Sequence, residues 1–111
     1  MLDKGKAKRT YLYVSDAVEM LLLIGLNGKH PIYNIGGKSK LSIKDLADKI
    51  GKITKATVKL PNKSTPLKGS PNDVKLNTKL FESEFKKNNF ININRGLQKT
   101  IKWHLACLTK Q

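Results

Sequence analysis

Lys8-Arg9-Thr10-Tyr11-Leu12-Tyr13-Val14-Ser15-Asp16, followed one helix later by Ile32-Tyr33-Asn34-Ile35-Gly36-Gly37, sets the fold of this chain. Residues 9–14 alternate and are rich in aromatic and β-branched side chains, which predicts a strand. Ser15 or Asp16 is placed to cap a following helix, and Gly28 stands where that helix would stop. Within it Ala17, Val18, Met20, Leu21, Leu22, Leu23, Ile24 and Leu26 leave Glu19 as the main polar interruption. A helix apolar on nearly every side must be covered on nearly every side. A chain of 111 residues has little material for that, so a larger fold or an oligomer built on helix 16–26 is expected to cover it.

Working outward, residues 31–35 predict a short strand running into the Gly36-Gly37 turn, where backbone can approach a ligand or a neighbouring strand. Ser42 with Asp45 three residues on is a capping-box variant, and Ile43, Leu46, Ala47, Ile50 and Ile53 fall on one helical face behind it. Residues 57–60 predict another strand. Pro61, Pro66, Gly69 and Pro71 make 61–73 the longest loop, and long loops often carry function. Asn77 begins a short helix through Phe85, and Asn94 begins the last one, with Leu97, Ile101, Leu105 and Leu108 on one face. Trp103 is expected in the core, and the lone Cys107 as a buried structural thiol. The expected class is α/β, or α+β taken alone: one domain over 1–111, with few short strands and about four helices.

The formal net charge of +14 is the strongest compositional signal and points towards anionic ligands. Twenty of the 22 basic residues are lysines spread along the chain; only Arg9 and Arg95 can make bidentate contacts to phosphate or guanine. Without clustered aromatics for base stacking, a dedicated nucleic-acid face is the lesser reading. No apolar run approaches the ~20 residues of a membrane span, and one cysteine suits a reducing, cytoplasmic setting. The sequence holds no Gly-x-Gly-x-x-Gly or P-loop pattern, and His30 and His104 have no metal-ligand spacing around them. None of Tyr11, Tyr13 and Tyr33 has a lysine four residues on. No catalytic constellation is visible.

Six segments, in order, resemble the C-terminal half of nucleotide-sugar epimerases and dehydratases of the extended short-chain dehydrogenase/reductase family. They are Arg9 to Asp16, Ile32 to Gly37, Leu41-Ser42-Ile43-Lys44-Asp45-Leu46, Pro71-Asn72-Asp73-Val74, Asn77-Thr78-Lys79-Leu80 and Arg95 to Trp103. Each is weak alone; their order and spacing carry the likeness. The resemblance implies a substrate-binding part without the N-terminal Rossmann domain, whose NAD takes a hydride from the sugar and returns it. It implies that Arg9 contacts the diphosphate of a nucleoside diphosphate sugar, that Ser42 faces the nucleotide, and that the Asp73 loop grips phosphates and ribose. That loop lacks the family's arginine; Lys68 could supply a point charge there but no planar clamp. The implied function is to hold the nucleotide without catalysing alone. The alternatives are a basic nucleic-acid-binding module and a non-catalytic subunit docking on a separate cofactor domain.

Overall fold

The computed structural model describes residues 4–62 and 71–110. Strand β1 (Lys8–Tyr11) pairs antiparallel with β2 (Ser39–Ser42), in the register Lys8↔Ser42 to Tyr11↔Ser39. On its other edge β1 meets residues 72–73: the Lys8 N–H donates to the Asn72 carbonyl at 2.7 Å, and Lys8 forms a parallel bridge with Asp73. The strand ends at Tyr11 rather than Val14, because helix α1 (Val14–Asn27) has already begun. Tyr13 occupies its N-cap position without a side-chain capping bond. Neither Ser15 nor Asp16 is the cap.

Asp16 is instead buried in the first turn, with 4% of its surface exposed. Its carboxylate accepts the Ile91 N–H at 2.9 Å and pairs with Lys87 at 3.0 Å. Burial opposes the Lys87 charge, but hydrogen bonds to Glu19 and Asp16 outweigh it and hold the ammonium above the ordinary lysine value. Lys87 also donates to the Asn89 carbonyl at 3.0 Å and lies 5.1 Å from the Phe90 ring centroid. One lysine thus ties the start of α1 to the 87–91 segment. At the other end, Gly28 stops α1 with φ −67°, so the stop uses no left-handed residue. Glycine is required there by space: a Cβ would lie 2.5 Å from the Ile24 carbonyl oxygen.

The core is small. Met20, Phe81 and Phe85 are buried, with Leu12, Leu23, Ile24, Tyr33, Ile35 and Phe90 packed around them. Helix α1 therefore faces inward along Asp16, Met20, Leu23 and Ile24, spacings of three and four. Its opposite stripe, Val14, Val18, Leu21, Leu22 and Leu26, is exposed, Leu26 by 80%. Tyr33 fastens the turn after α1: its hydroxyl accepts the Lys29 and His30 N–H groups at 2.8 and 3.1 Å and donates to Glu84 at 2.7 Å.

Helix α2 (Ile43–Thr54) begins as expected. Ser42 Oγ accepts the Asp45 N–H at 3.0 Å while the Asp45 carboxylate accepts the Ser42 N–H at 3.3 Å, a complete capping box. Helix α3 (Lys79–Glu84) is shorter than the 77–85 expected, and α4 (Ile93–Leu108) starts before Asn94 because Asn92 is its cap, accepting the Arg95 N–H at 2.9 Å. Residues 31–35 and 57–60 are not strands; the ladder partner of β1 is Ser39–Ser42, beyond the glycine pair. Trp103 is 66% exposed, and Cys107, Leu105 and Leu108 are also exposed, since the last two turns of α4 run past the body of the fold.

The chain exposes 8825 Å², where about 6,100 Å² is expected of a compact chain of 12.4 kDa. Its radius of gyration is 16.9 Å against about 13 Å for a compact chain of this length.

Candidate anion-binding site

The segment 71–76 runs beside β1, and cations gather on it. Arg9 Nη1 donates to the Pro71 carbonyl at 3.0 Å and to the Lys8 carbonyl at 2.7 Å. Lys40 comes from β2, on the far side of β1, and its ammonium meets both Asp73 oxygens, at 2.6 and 2.8 Å. Lys40 stands opposite Thr10 and Ser42 opposite Lys8, so these four residues share a face of the ladder that Arg9 and Leu41 do not. The Lys40 hydrogen bond is the main reason the Asp73 carboxyl is held below the ordinary carboxylate range; Lys75 and Lys8 act in the same direction. Asp73 is therefore ionised at neutral pH, a single carboxylate among lysines.

Beside Arg9 lies a cleft of about 270 Å³, walled by Thr10, Leu12, Gly36, Gly37, Val74 and Leu76. Gly37 closes it for a backbone reason: a Cβ there would sit 1.9 Å from the Tyr11 carbonyl oxygen. The glycine pair thus serves the approach of chain to chain. It does not open onto a helix N-terminus, so these glycines do not fit a dinucleotide pyrophosphate, and NAD has no cradle in them. No cluster of His, Cys, Asp and Glu that could hold a metal occurs among the described residues.

Of the four residues singled out from the sequence, Arg9 reaches the 71–73 segment, of which Asp73 is part, through the Pro71 carbonyl. Ser42 lies on the same ladder face as Lys40, but its side chain is committed to capping α2. Lys68 lies outside the described residues. Lys40 was missed, as were Lys8 and Lys75. Nothing local marks Lys40, since its carboxylate partner is 33 residues away and meets it only across β1.

A second concavity, about 560 Å³, is of another kind. Tyr13, Val14, Thr100 and Trp103 line it with Lys99 as the only charge, and Val14 joins it to the exposed stripe of α1. No helix among the described residues is long and apolar enough to cross a membrane.

No family model matches the chain, and no curated protein matches it in sequence. Solved structures do match its fold. The enzyme WbmF of Bordetella bronchiseptica, in complex with NAD+ and UDP, aligns with a TM-score of 0.78 at 29% identity, over 98% of this chain and 32% of that one. The dTDP-glucose 4,6-dehydratase of Bacillus anthracis, in complex with NAD, aligns at 0.75 and 22% identity, over 92% of this chain and 32% of its own. The UDP-glucuronic acid 4-epimerase of Bacillus cereus, in complex with UDP-glucuronic acid and NAD, aligns at 0.70 and 23% identity, over 88% and 32%. This chain spans about a third of the length of each.

Proposed function

We propose that this chain, whose fold is that of a C-terminal fragment of an NAD-dependent epimerase/dehydratase, binds the nucleoside diphosphate of a nucleotide sugar and leaves the chemistry to residues outside it. The observation that carries this reading is the set of cations along the 71–76 segment, with Lys8, Lys40 and Lys75 around Asp73 and Arg9 held against the Pro71 carbonyl from the other face of the ladder. Two negative phosphates are held best where several cations converge on a preformed backbone. A guanidinium already fixed against the Pro71 and Lys8 carbonyls loses little freedom when a phosphate arrives. The adjoining cleft, apolar apart from Arg9 and Thr10, suits the flat, less polar part of such a ligand. NAD belongs with the remainder of such an enzyme, because the glycines here do not accommodate it.

The exposed stripe of α1 supports a companion reading, in which this part docks on a cofactor-carrying domain. Val14, Val18, Leu21, Leu22 and Leu26 form an uncharged face, and a Cβ at Gly25 would meet nothing within 4 Å, so a partner helix can approach closely there.

A two-dimensional amide NMR titration with UDP and TDP tests the binding function. The expected result is dispersed peaks that shift around Arg9, Gly36-Gly37 and residues 71–76. Dispersed peaks that stay still at millimolar nucleotide would overturn it, and NAD-dependent turnover of a UDP-sugar by the chain alone would overturn the division of labour.

A further inference from the structure

Asp73 is an anion set among cations, on the ladder face that carries Lys8 and Lys40. Both of its oxygens lie against the Lys40 ammonium, at 2.6 and 2.8 Å, and the other charges acting on it, Lys75 and Lys8, are also cationic. The two side chains are each more than one-third exposed, so solvent and solutes reach the pair. An ion pair so placed contributes little, on the order of 0–1 kcal/mol, because water screens it and both side chains lose freedom. Such a pair is weak enough to be exchanged for a better anion.

We propose that the Lys40–Asp73 pair is an internal latch on the anion site, with Asp73 occupying Lys40 until a diphosphate displaces it and takes the ammonium. This rests on the diphosphate-binding function and adds a residue and a form of regulation to it. The ligand must be anionic enough to outcompete a tethered carboxylate, so a diphosphate is favoured over a monophosphate or a neutral sugar. Lys40 reaches the site across β1 and holds Asp73, so the latch links the two outer edges of the ladder in the unliganded state. Ligand entry exchanges that link for one through the phosphate.

The consequence runs against ordinary expectation for a site carboxylate: removing its charge improves binding. Titration of the full chain, Asp73→Asn, Lys40→Met and the double variant with inorganic pyrophosphate and with UDP, at fixed low salt, reads this directly. Asp73→Asn is expected to tighten both ligands about two- to five-fold, and Lys40→Met to weaken them by a similar factor. In the Lys40→Met background the gain from Asp73→Asn is expected to vanish, since no ammonium is left to release. Weaker or unchanged binding by Asp73→Asn would overturn the latch; weaker binding would make Asp73 a direct contact to a ligand hydroxyl. A gain that persists without Lys40 would also overturn it. If pyrophosphate shows the pattern and UDP does not bind, the latch stands and the nucleotide function falls. If neither ligand binds wild type or variant, both fall.

Discussion

Lys87 shows what a single side chain does in this fold. Its ammonium is buried between Asp16 and Glu19 and capped by the Asn89 carbonyl. Replacing it with methionine keeps the stem volume but strands the Asp16 carboxylate, which would retain the Ile91 N–H. Breaking one side of a buried pair commonly costs about 3–5 kcal/mol. Lys87→Met is therefore expected to lower unfolding free energy by about 3 kcal/mol in urea denaturation, whereas an exposed control such as Lys102→Met should change it little. The raised Lys87 value fixes the sign against pH: its contribution is present at neutral pH and disappears as pH rises through that value, above the ordinary lysine range. Neither partner could be read from the sequence, because 71 residues separate Asp16 from Lys87. Asp16 looked like a cap because its neighbours in sequence permit one; its neighbours in space gave it a different task.

Elements were legible where their determinants are local. Ser42 and Asp45 are three residues apart, and the capping box they predict is the one that forms. Ser42→Ala is expected to cost about 1 kcal/mol of stability, the usual cost of a lost N-cap. UDP affinity should stay within two-fold, because the hydroxyl is committed to the helix; a larger loss of affinity with unchanged stability would make Ser42 a nucleotide contact. Hydrogen bonds from Ser42 hold the Asp45 carboxyl below its ordinary value, so this reciprocal bond is present above the ordinary carboxylate range and is lost as pH falls through the depressed value. The strand at 31–35 failed for a non-local reason. Its residues alternate well enough for a strand, but β1 takes Ser39–Ser42 as its partner, and Gly37 packs against the Tyr11 carbonyl at the end of that ladder. Trp103, Leu105 and Leu108 carry a core-like pattern on α4, yet the helix runs past the body that would cover them. Pattern marks a face as apolar without saying what lies opposite.

At the scale of the molecule, exposed surface is the dominant fact. The chain exposes about 2,700 Å² more than a compact chain of the same mass. The α1 stripe and the groove at Trp103 join through Val14 into one apolar face. Leu22→Lys is expected to leave the fold intact, since Leu22 lies outside the core, and, on the proposed docking, to abolish association with a separately supplied NAD-binding domain in analytical ultracentrifugation. If association survives Leu22→Lys, α1 is not the docking element; if the wild-type chain pairs with itself and the variant does not, a second copy covers the stripe.

What the sequence by itself determined is the set of elements with local causes and the chemistry available to them. The first strand with its apolar helix, the capped α2, the short α3, the long α4, the absence of a dinucleotide loop and an excess of cations all follow from neighbours within a few residues. The apolarity of α1 is legible there too, and the structure buries one stripe of it and leaves the other exposed. Tertiary structure alone decided which strand pairs with β1, that Asp16 is buried on Lys87, that Lys40 meets Asp73, and which stripe of α1 remains bare. Each depends on residues tens of positions apart meeting in space, and hydrogen bonds, charges and packing act over ångströms rather than along the chain.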